Sequence, residues 1–397
     1  MGDGENSVLR RLAVLPAKLK KHGLRWSFRR AGEIAHGVMF RCAGRLTRLF
    51  INLLSQNLPY VRSFSAGTMV VYYDLAVYPI SYDICWFLVW ADFQRQRQNL
   101  RHLHCIFLPI EDHQTRIFPP GYDAVVDRTS REWRFQNICV AMMPLIRASA
   151  GFTVCNSRAQ AKGLSLLVNH RWMDPNSAGQ YPPLSVIYRN LVASVAQNDP
   201  DWGLRAPEQG LRYIRTWFDA RANGRKVVVV TLRQYAVDKE RNSRTADWLT
   251  FLRALDQTEY FPVLVRDTDC ALVLDESFEG VALCNEAAWS IGLRAALYEV
   301  AFMNMFVNCG PASLCILNPR TRYMLFKIIV PGIHLASEAT LRDMGFEPGT
   351  QPPFAGPFQR WIWEDDRLDV ITREFNAMVE RIAQSGCGSA STSALAS

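Results

Sequence analysis

The chain has 397 residues, 49% of them apolar and 21% charged, and 45 Lys and Arg against 37 Asp and Glu leave it at +8. Such a composition excludes a disordered tail protein, a fibrous protein and a small disulfide scaffold, and the length allows two cores. The charge is uneven: residues 1–62 hold twelve basic and three acidic side chains, the other 335 thirty-three and thirty-four. A near-neutral body argues against a chain-wide nucleic-acid surface, and no nucleic acid is expected as partner.

In chain order, Val8 to Leu58 reads as two helical pieces around Gly32, within a basic segment 1–62. Ile34, Val38, Cys42, Leu46, Leu49, Phe50 and Leu53 recur at helical spacing, with Arg41, Arg45 and Arg48 away from that stripe. Such a helix suits an anionic membrane surface, at roughly 1 kcal/mol per basic residue, or else packs on the body with its arginines solvated. Thr68–Tyr73 reads as a buried strand, followed by a polar loop to Asp83 and a helix to about Arg97 capped by Ser81. A strand at His102–Leu108, a helix over 130–148, a strand at Gly151–Val154 and a helix over 157–168 continue the alternation. Residues 171–205 read as loops around one short helix, and 207–222 as a further helix. Alternation of this kind implies a mostly parallel sheet, assigned to a domain 63–222.

A second α/β domain is expected over 223–384. It opens on the strand Lys226–Arg233, of the fully buried kind. A helix over 246–255, strands at Phe261–Val265, Met305–Val307 and Tyr323–Val330, and helices over 289–301 and 368–382 follow. The Gly/Ser/Ala tail 385–397 is expected to be disordered. The ten cysteines stand singly, mostly in apolar runs, as free thiols do in a reducing compartment. No secretory signal is visible, and the longest uncharged apolar run, Ile84 to Ala91, is far below the roughly 20 residues of a membrane span. A cytoplasmic placement is expected, admitting peripheral attachment to the inner face of a membrane.

Ligands of open parallel sheets bind beyond the carboxyl ends of the strands, so those ends carry the candidate site. Arg233 ends the strongest strand and begins a loop containing Lys239, Arg241, Asn242, Ser243 and Arg244. A guanidinium there suits a diphosphate, unless the loop is merely solvated. In the turn Asn308-Cys309-Gly310-Pro311-Ala312-Ser313, Gly310 permits close backbone approach and Pro311 suits the first helical position. Free amides at such a turn make an anion site, or the turn simply joins strand to helix. Arg294, Tyr298 and Ala301 share one helical face, and Arg294 or Glu299 could hold a sugar hydroxyl or stay on the helix surface.

From about residue 66 to 384 the chain resembles a glycosyltransferase of the GT-B architecture, with two Rossmann-like domains facing across a cleft. The run Val228-Val229-Val230-Thr231-Leu232-Arg233, its loop and the Trp248-bearing helix resemble the donor-domain opening of bacterial surface-carbohydrate transferases and of the fucosyltransferase branch. That branch carries His two places before its arginine, where this chain has Thr231. The resemblance implies a nucleotide sugar bound by Arg233, Arg241, Arg294, Asn308, Gly310, Pro311 and Ser313, and a glycan or lipid-linked acceptor on the first domain. It also implies a carboxylate or His as base there: Asp74 first, Asp83 next, with Glu111, Asp112 and His113 as further candidates. His102, His104 and His113 lack a convincing fourth zinc ligand. Asp267-Thr268-Asp269 has the DxD form of manganese-dependent transferases, but the tripeptide is common, and neither metal nor other cofactor is expected. P-loop, dinucleotide and hydrolase motifs are absent. The expectation is a glycosyltransferase; the alternative is a non-catalytic GT-B-like protein that binds or scaffolds at a membrane.

Overall fold

The computed structural model describes residues 67–110, 126–175, 181–195, 202–273 and 275–393. The basic segment 1–62 and the Glu111-Asp112-His113 cluster lie outside the described residues.

Strand β1 (Thr68–Asp74) is buried along its whole length, as an apolar run covered on both faces must be. It pairs in parallel with β2 (His102–Leu108) on one side and β4 (His170–Trp172) on the other, and β3 (Ser149–Val154) lies beyond β2. Three residues without alternation give β4 no sequence signal, and it falls at the edge of a stretch expected to be loop. Helix α1 (Ile84–Arg97) carries the longest apolar run, and every residue from Ile84 to Ala91 is buried. A helix apolar all round must be covered all round. The Trp86 indole stacks on Tyr188, centroids 4.2 Å apart, while its Nε1 donates to Ser313 Oγ at 3.2 Å. Helix α2 (Arg128–Arg134) does not run on to 148 as expected. It loosens to a π turn over Phe135–Cys139, then tightens to a 3-10 turn over Val140–Leu145 that contains Pro144, which has no N–H to donate. Helices α3 (Arg158–Leu166), α4 (Leu184–Val195) and α5 (Glu208–Ala222) follow.

The second sheet is also parallel throughout. Strand β5 (Lys226–Thr231) stands inside it, with β6 (Tyr260–Val265) and β7 (Ala282–Leu283) to one side. On the other side lie β8 (Met303–Val307), β9 (Tyr323–Phe326) and β10 (Gln359–Trp361). The connecting helices are α6 (Thr245–Ala254), α7 (Asn285–Trp289), α8 (Ile291–Val300), α9 (Ser313–Ile316), α10 (Glu338–Asp343) and α11 (Leu368–Ser393). The helix expected over 289–301 is two, broken at Ser290, whose hydroxyl caps α8 by accepting from Leu293 N. Helix α5 precedes the expected boundary at 222 yet packs against α8. A methyl group built on Gly210 would lie 2.9 Å from the Gly292 carbonyl oxygen, so glycine permits the crossing. Strand β9 stops four residues short of the expected Val330, because Lys327 turns the chain with φ at +52°. Helix α11 continues to Ser393, through residues expected to lack structure. Among the described residues no helix is long and apolar enough to cross a membrane.

Candidate functional site

Strand order reverses between β5 and β8, and the crevice beyond their carboxyl ends is where such sheets take ligands. Both candidate segments of the second sheet reach this point. Arg233 follows β5 and is almost completely buried, its Nη2 donating to the Val237 carbonyl at 2.8 Å and its Nη1 to the Asp238 carbonyl at 3.0 Å and to Asn242 Oδ1. Its amide donates to Ser243 Oγ at 2.9 Å, and its carbonyl accepts from Ser243 N at 3.0 Å. The loop is therefore wrapped around its own arginine, while Lys239, Glu240 and Arg244 remain exposed on its outside. Arg241 links the loop after β5 to the end of β8: Nη2 donates to the Asn308 carbonyl at 3.2 Å, and its buried Nε has no acceptor.

Arg294 is 2% exposed, on the inward face of α8 together with Tyr298, as their spacing predicts, and Ala301, just past the helix end, is also buried. Its Nε donates to the Ala287 carbonyl at 2.6 Å, its Nη1 lies 3.4 Å from Tyr82 Oη, and its buried Nη2 has no acceptor. Asp267, at the end of β6, accepts from Gln234 N at 2.5 Å. Burial pushes its carboxyl up, opposed by that hydrogen bond and by the charges of Arg294 and Arg233. Burial and the neighbouring charge of Arg241 push the Arg233 guanidinium down. Cys309 is raised to about 11 by burial first, with Arg294 and Arg233 acting against the shift. Arg233, Arg241 and Arg294 thus lie at a single switch point with two carboxylates, Asp267 and Asp238, the latter 3.6 Å from Arg241 Nη1.

Other placements differ from expectation. A methyl group on Gly310 would meet Tyr82 Cδ2 at 2.8 Å, so the close approach that this glycine permits is to a tyrosine ring from the first sheet's loop. The Ser313 hydroxyl accepts from Trp86, Ala312 N donates to the Cys309 carbonyl at 3.2 Å, and Ser313 N to the Gly310 carbonyl. Hydrogen bonds within the turn thus use amides that were expected to hold an anion. Pro311 is buried and Asn308 half-buried, Asn308 Nδ2 donating to the Ile328 carbonyl at 3.2 Å. Thr231 is buried with its hydroxyl 2.7 Å from Tyr298 Oη. Glu299 holds no free position either: Oε2 accepts from Ala206 N and Asn318 Nδ2, each at 3.0 Å.

Asp74 is fully buried and forms a two-pronged ion pair with Arg158, 2.9 Å at one oxygen, while Ala76 N donates to the same Oδ1 at 2.9 Å. Asp83, at the start of α1, accepts from Tyr188 Oη at 2.6 Å and Ser81 Oγ at 2.5 Å. Ser81, expected to cap α1, thus positions Asp83, and Ile84 opens the helix. Nε2 of His104 lies 2.9 Å from Thr153 Oγ1. Among the described residues no group of three or more His, Cys, Asp or Glu is placed to hold a metal ion. Beside β4 a cleft of about 470 Å³ is lined by Trp90, Arg97, Trp172, Tyr181 and Asn190, and by none of the switch-point arginines.

A buried carboxylate without any motif lies at the same end of the sheet. Asp366 is 0% exposed, its Oδ2 accepting from Trp248 Nε1 at 2.7 Å and Arg244 N at 2.8 Å, with Lys327 Nζ 3.7 Å from Oδ1. Burial pushes its carboxyl up to about 6, so the folded state holds the proton more tightly than the unfolded chain. A carboxyl raised in this way makes stability fall as pH rises from about 4 to about 6. Asp366→Asn should remove that component, of the order of 3 kcal/mol, so the difference in unfolding free energy between wild type and variant should change with this sign across the window. Urea titrations at pH 4, 5 and 6.5 check it; a pH-independent difference would refute it.

No protein-family model matches the sequence, and no curated protein does. Among solved structures, it is similar to E. coli ADP-heptose lps heptosyltransferase II, at 11% identity over 80% of this chain and 99% of that one, TM-score 0.47. It is also similar to a glycosyl transferase family 9 protein from Veillonella parvula, at 10% identity over 66% and 80% of the two chains, TM-score 0.37. A third likeness is to NodZ α-1,6-fucosyltransferase co-crystallized with GDP, at 14% identity over 64% and 93%, TM-score 0.28. The chain is thus similar, at low identity, to glycosyltransferases of more than one kind.

Proposed function

We propose that the chain transfers a sugar from a nucleotide-sugar donor to a hydroxyl acceptor. One observation carries this reading: Arg233, Arg241 and Arg294 gather where the order of a parallel sheet reverses, and two of them keep a buried N–H with no acceptor. Buried donors are nearly always satisfied, so such groups point to an anionic occupant. Guanidiniums bind a diphosphate in a fork, and held rigidly they stabilise the charge that develops as it departs. Of the two carboxylate candidates we retain Asp83 as base, since it adjoins Tyr82, whose ring touches the Gly310 turn. Asp74 is committed to Arg158 on both oxygens.

The acceptor in this reading is a glycan or lipid-linked glycan, and the charge of residues 1–62 supports attachment to an anionic membrane surface. A non-catalytic nucleotide-binding protein is the second reading, favoured by the hydrogen bonds that already occupy Asp74 and Asp83. GDP or UDP at millimolar concentration should raise the melting temperature, because a ligand at 100 times its Kd adds about 2.7 kcal/mol. Arg233→Ala should abolish the rise. A wild-type protein that neither nucleotide stabilises would sink the reading, and binding without turnover would favour the second.

A further inference from the structure

We infer that Lys327 is a positioning residue for the arginine loop, holding Arg233 in place through Asn242; as a role in donor binding, this rests on the function proposed above. Three independent observations meet at this side chain. First, Lys327 has φ at +52°, a conformation that costs energy for any residue with a Cβ and persists only where the surroundings impose it. A glycine would adopt the same turn without strain, so a lysine there is explained by its side chain.

Second, that side chain is 15% exposed and points to the loop, not to bulk water. Nζ donates to the Asn242 carbonyl at 3.2 Å and lies 3.4 Å from Asp365 Oδ1 and 3.7 Å from Asp366 Oδ1. Asp366 Oδ1 has no hydrogen-bond partner, so the ammonium is the charge that compensates it. Third, Asn242 passes the constraint on. Its Oδ1 accepts from Arg233 Nη1 and from Tyr235 N at 3.1 Å, and its Nδ2 donates to the Tyr235 carbonyl at 2.9 Å. The buried carboxylate of Asp366 also accepts from the amide of Arg244, at the far end of the same loop.

Lys327 and Asp366 therefore clamp the loop from the β9 side at residues 242 and 244, while Arg233 fills it from within. Lys327 is placed as a positioning residue: it bonds the backbone of Asn242, and Asn242 bonds the guanidinium. A side chain that only neutralised Asp366 would act on the loop through the Arg244 amide alone, and its replacement would leave Asn242 and the Arg233 guanidinium unaffected.

The test uses the full chain, with GDP and UDP as probes. Lys327→Met removes the charge at similar length, Lys327→Gly removes it and also relieves the backbone strain, and Lys327→Arg restores a cation. Two readouts are followed: amide hydrogen exchange of residues 234–243, and nucleotide Kd by calorimetry. Met and Gly variants are expected to exchange this loop at least tenfold faster and to bind nucleotide at least tenfold more weakly. The Arg variant should recover most of both. Lys327→Gly should melt no lower than Lys327→Met, which separates loss of positioning from loss of fold. Wild-type exchange rates in both the Met and Gly variants would overturn the inference. If wild type binds neither nucleotide, the proposed function falls by itself. Faster loop exchange in Lys327→Met would then still support the positioning role, and unchanged exchange would refute it.

Discussion

Replacing Arg158 with Met should destabilise the protein by about 3–5 kcal/mol, because it leaves a fully buried carboxylate without its counter-charge. The asymmetry of the pair makes the result specific. Asp74 is 0% exposed and Arg158 17%, so an abandoned arginine can reach water and an abandoned aspartate cannot. Asp74→Asn should therefore cost less than Arg158→Met: its amide oxygen can still accept from Ala76 N, and Arg158 can rehydrate. Urea unfolding at pH 7 measures both. Equal losses, or a loss below about 1 kcal/mol for Arg158→Met, would show that the pair does not hold α3 to the end of β1.

Gly310→Ala should cost about 1–3 kcal/mol through overpacking, although its backbone allows alanine. The added methyl would sit 2.8 Å from Cδ2 and 3.2 Å from Cγ of Tyr82, a ring that cannot withdraw without losing the contact between its hydroxyl and Arg294. A double-mutant cycle isolates the cause. In a Tyr82→Ala background the ring is gone, and Gly310→Ala should become nearly neutral, leaving a coupling of about 1 kcal/mol or more. Additive losses would mean that the glycine is needed for something other than Tyr82. The same cycle followed by nucleotide titration reports whether the contact between the first sheet's loop and this turn shapes the crevice.

Parts of this site were legible from sequence. Val227 to Val230 could only be a strand covered on both faces, and from that Arg233 had to lie at its carboxyl end. The run Ile84–Ala91 had to be buried, and the spacing of Arg294, Tyr298 and Ala301 put them on one face. What the sequence does not show shares a physical cause. At Gly310 and Ser313 a turn shows its own flexibility and not what packs on it; Tyr82 and Trp86 are more than 220 residues earlier in the chain. Asp74 followed its strand as a catalytic base would, but its partner Arg158 is 84 residues away. Strands β4, β7 and β10 have two or three residues each, too few for periodicity to register. Lys327 was hidden inside an apolar run read as a strand, since nothing local shows that the chain turns left-handed there.

The class of structure and the elements that bear the site follow from local patterns in the chain. Burial periodicity is local, and an apolar run commits a segment to the interior wherever the rest of the chain goes. Tertiary structure alone decided which charged groups are occupied and which keep an unused donor. Ion pairs and hydrogen bonds join residues 84 to 227 positions apart, and their partners exist only after the sheets have assembled. That is why Arg233, Arg241 and Arg294 could each be nominated from the chain, whereas their meeting at one switch point, held from outside by Lys327 and Asp366, could not.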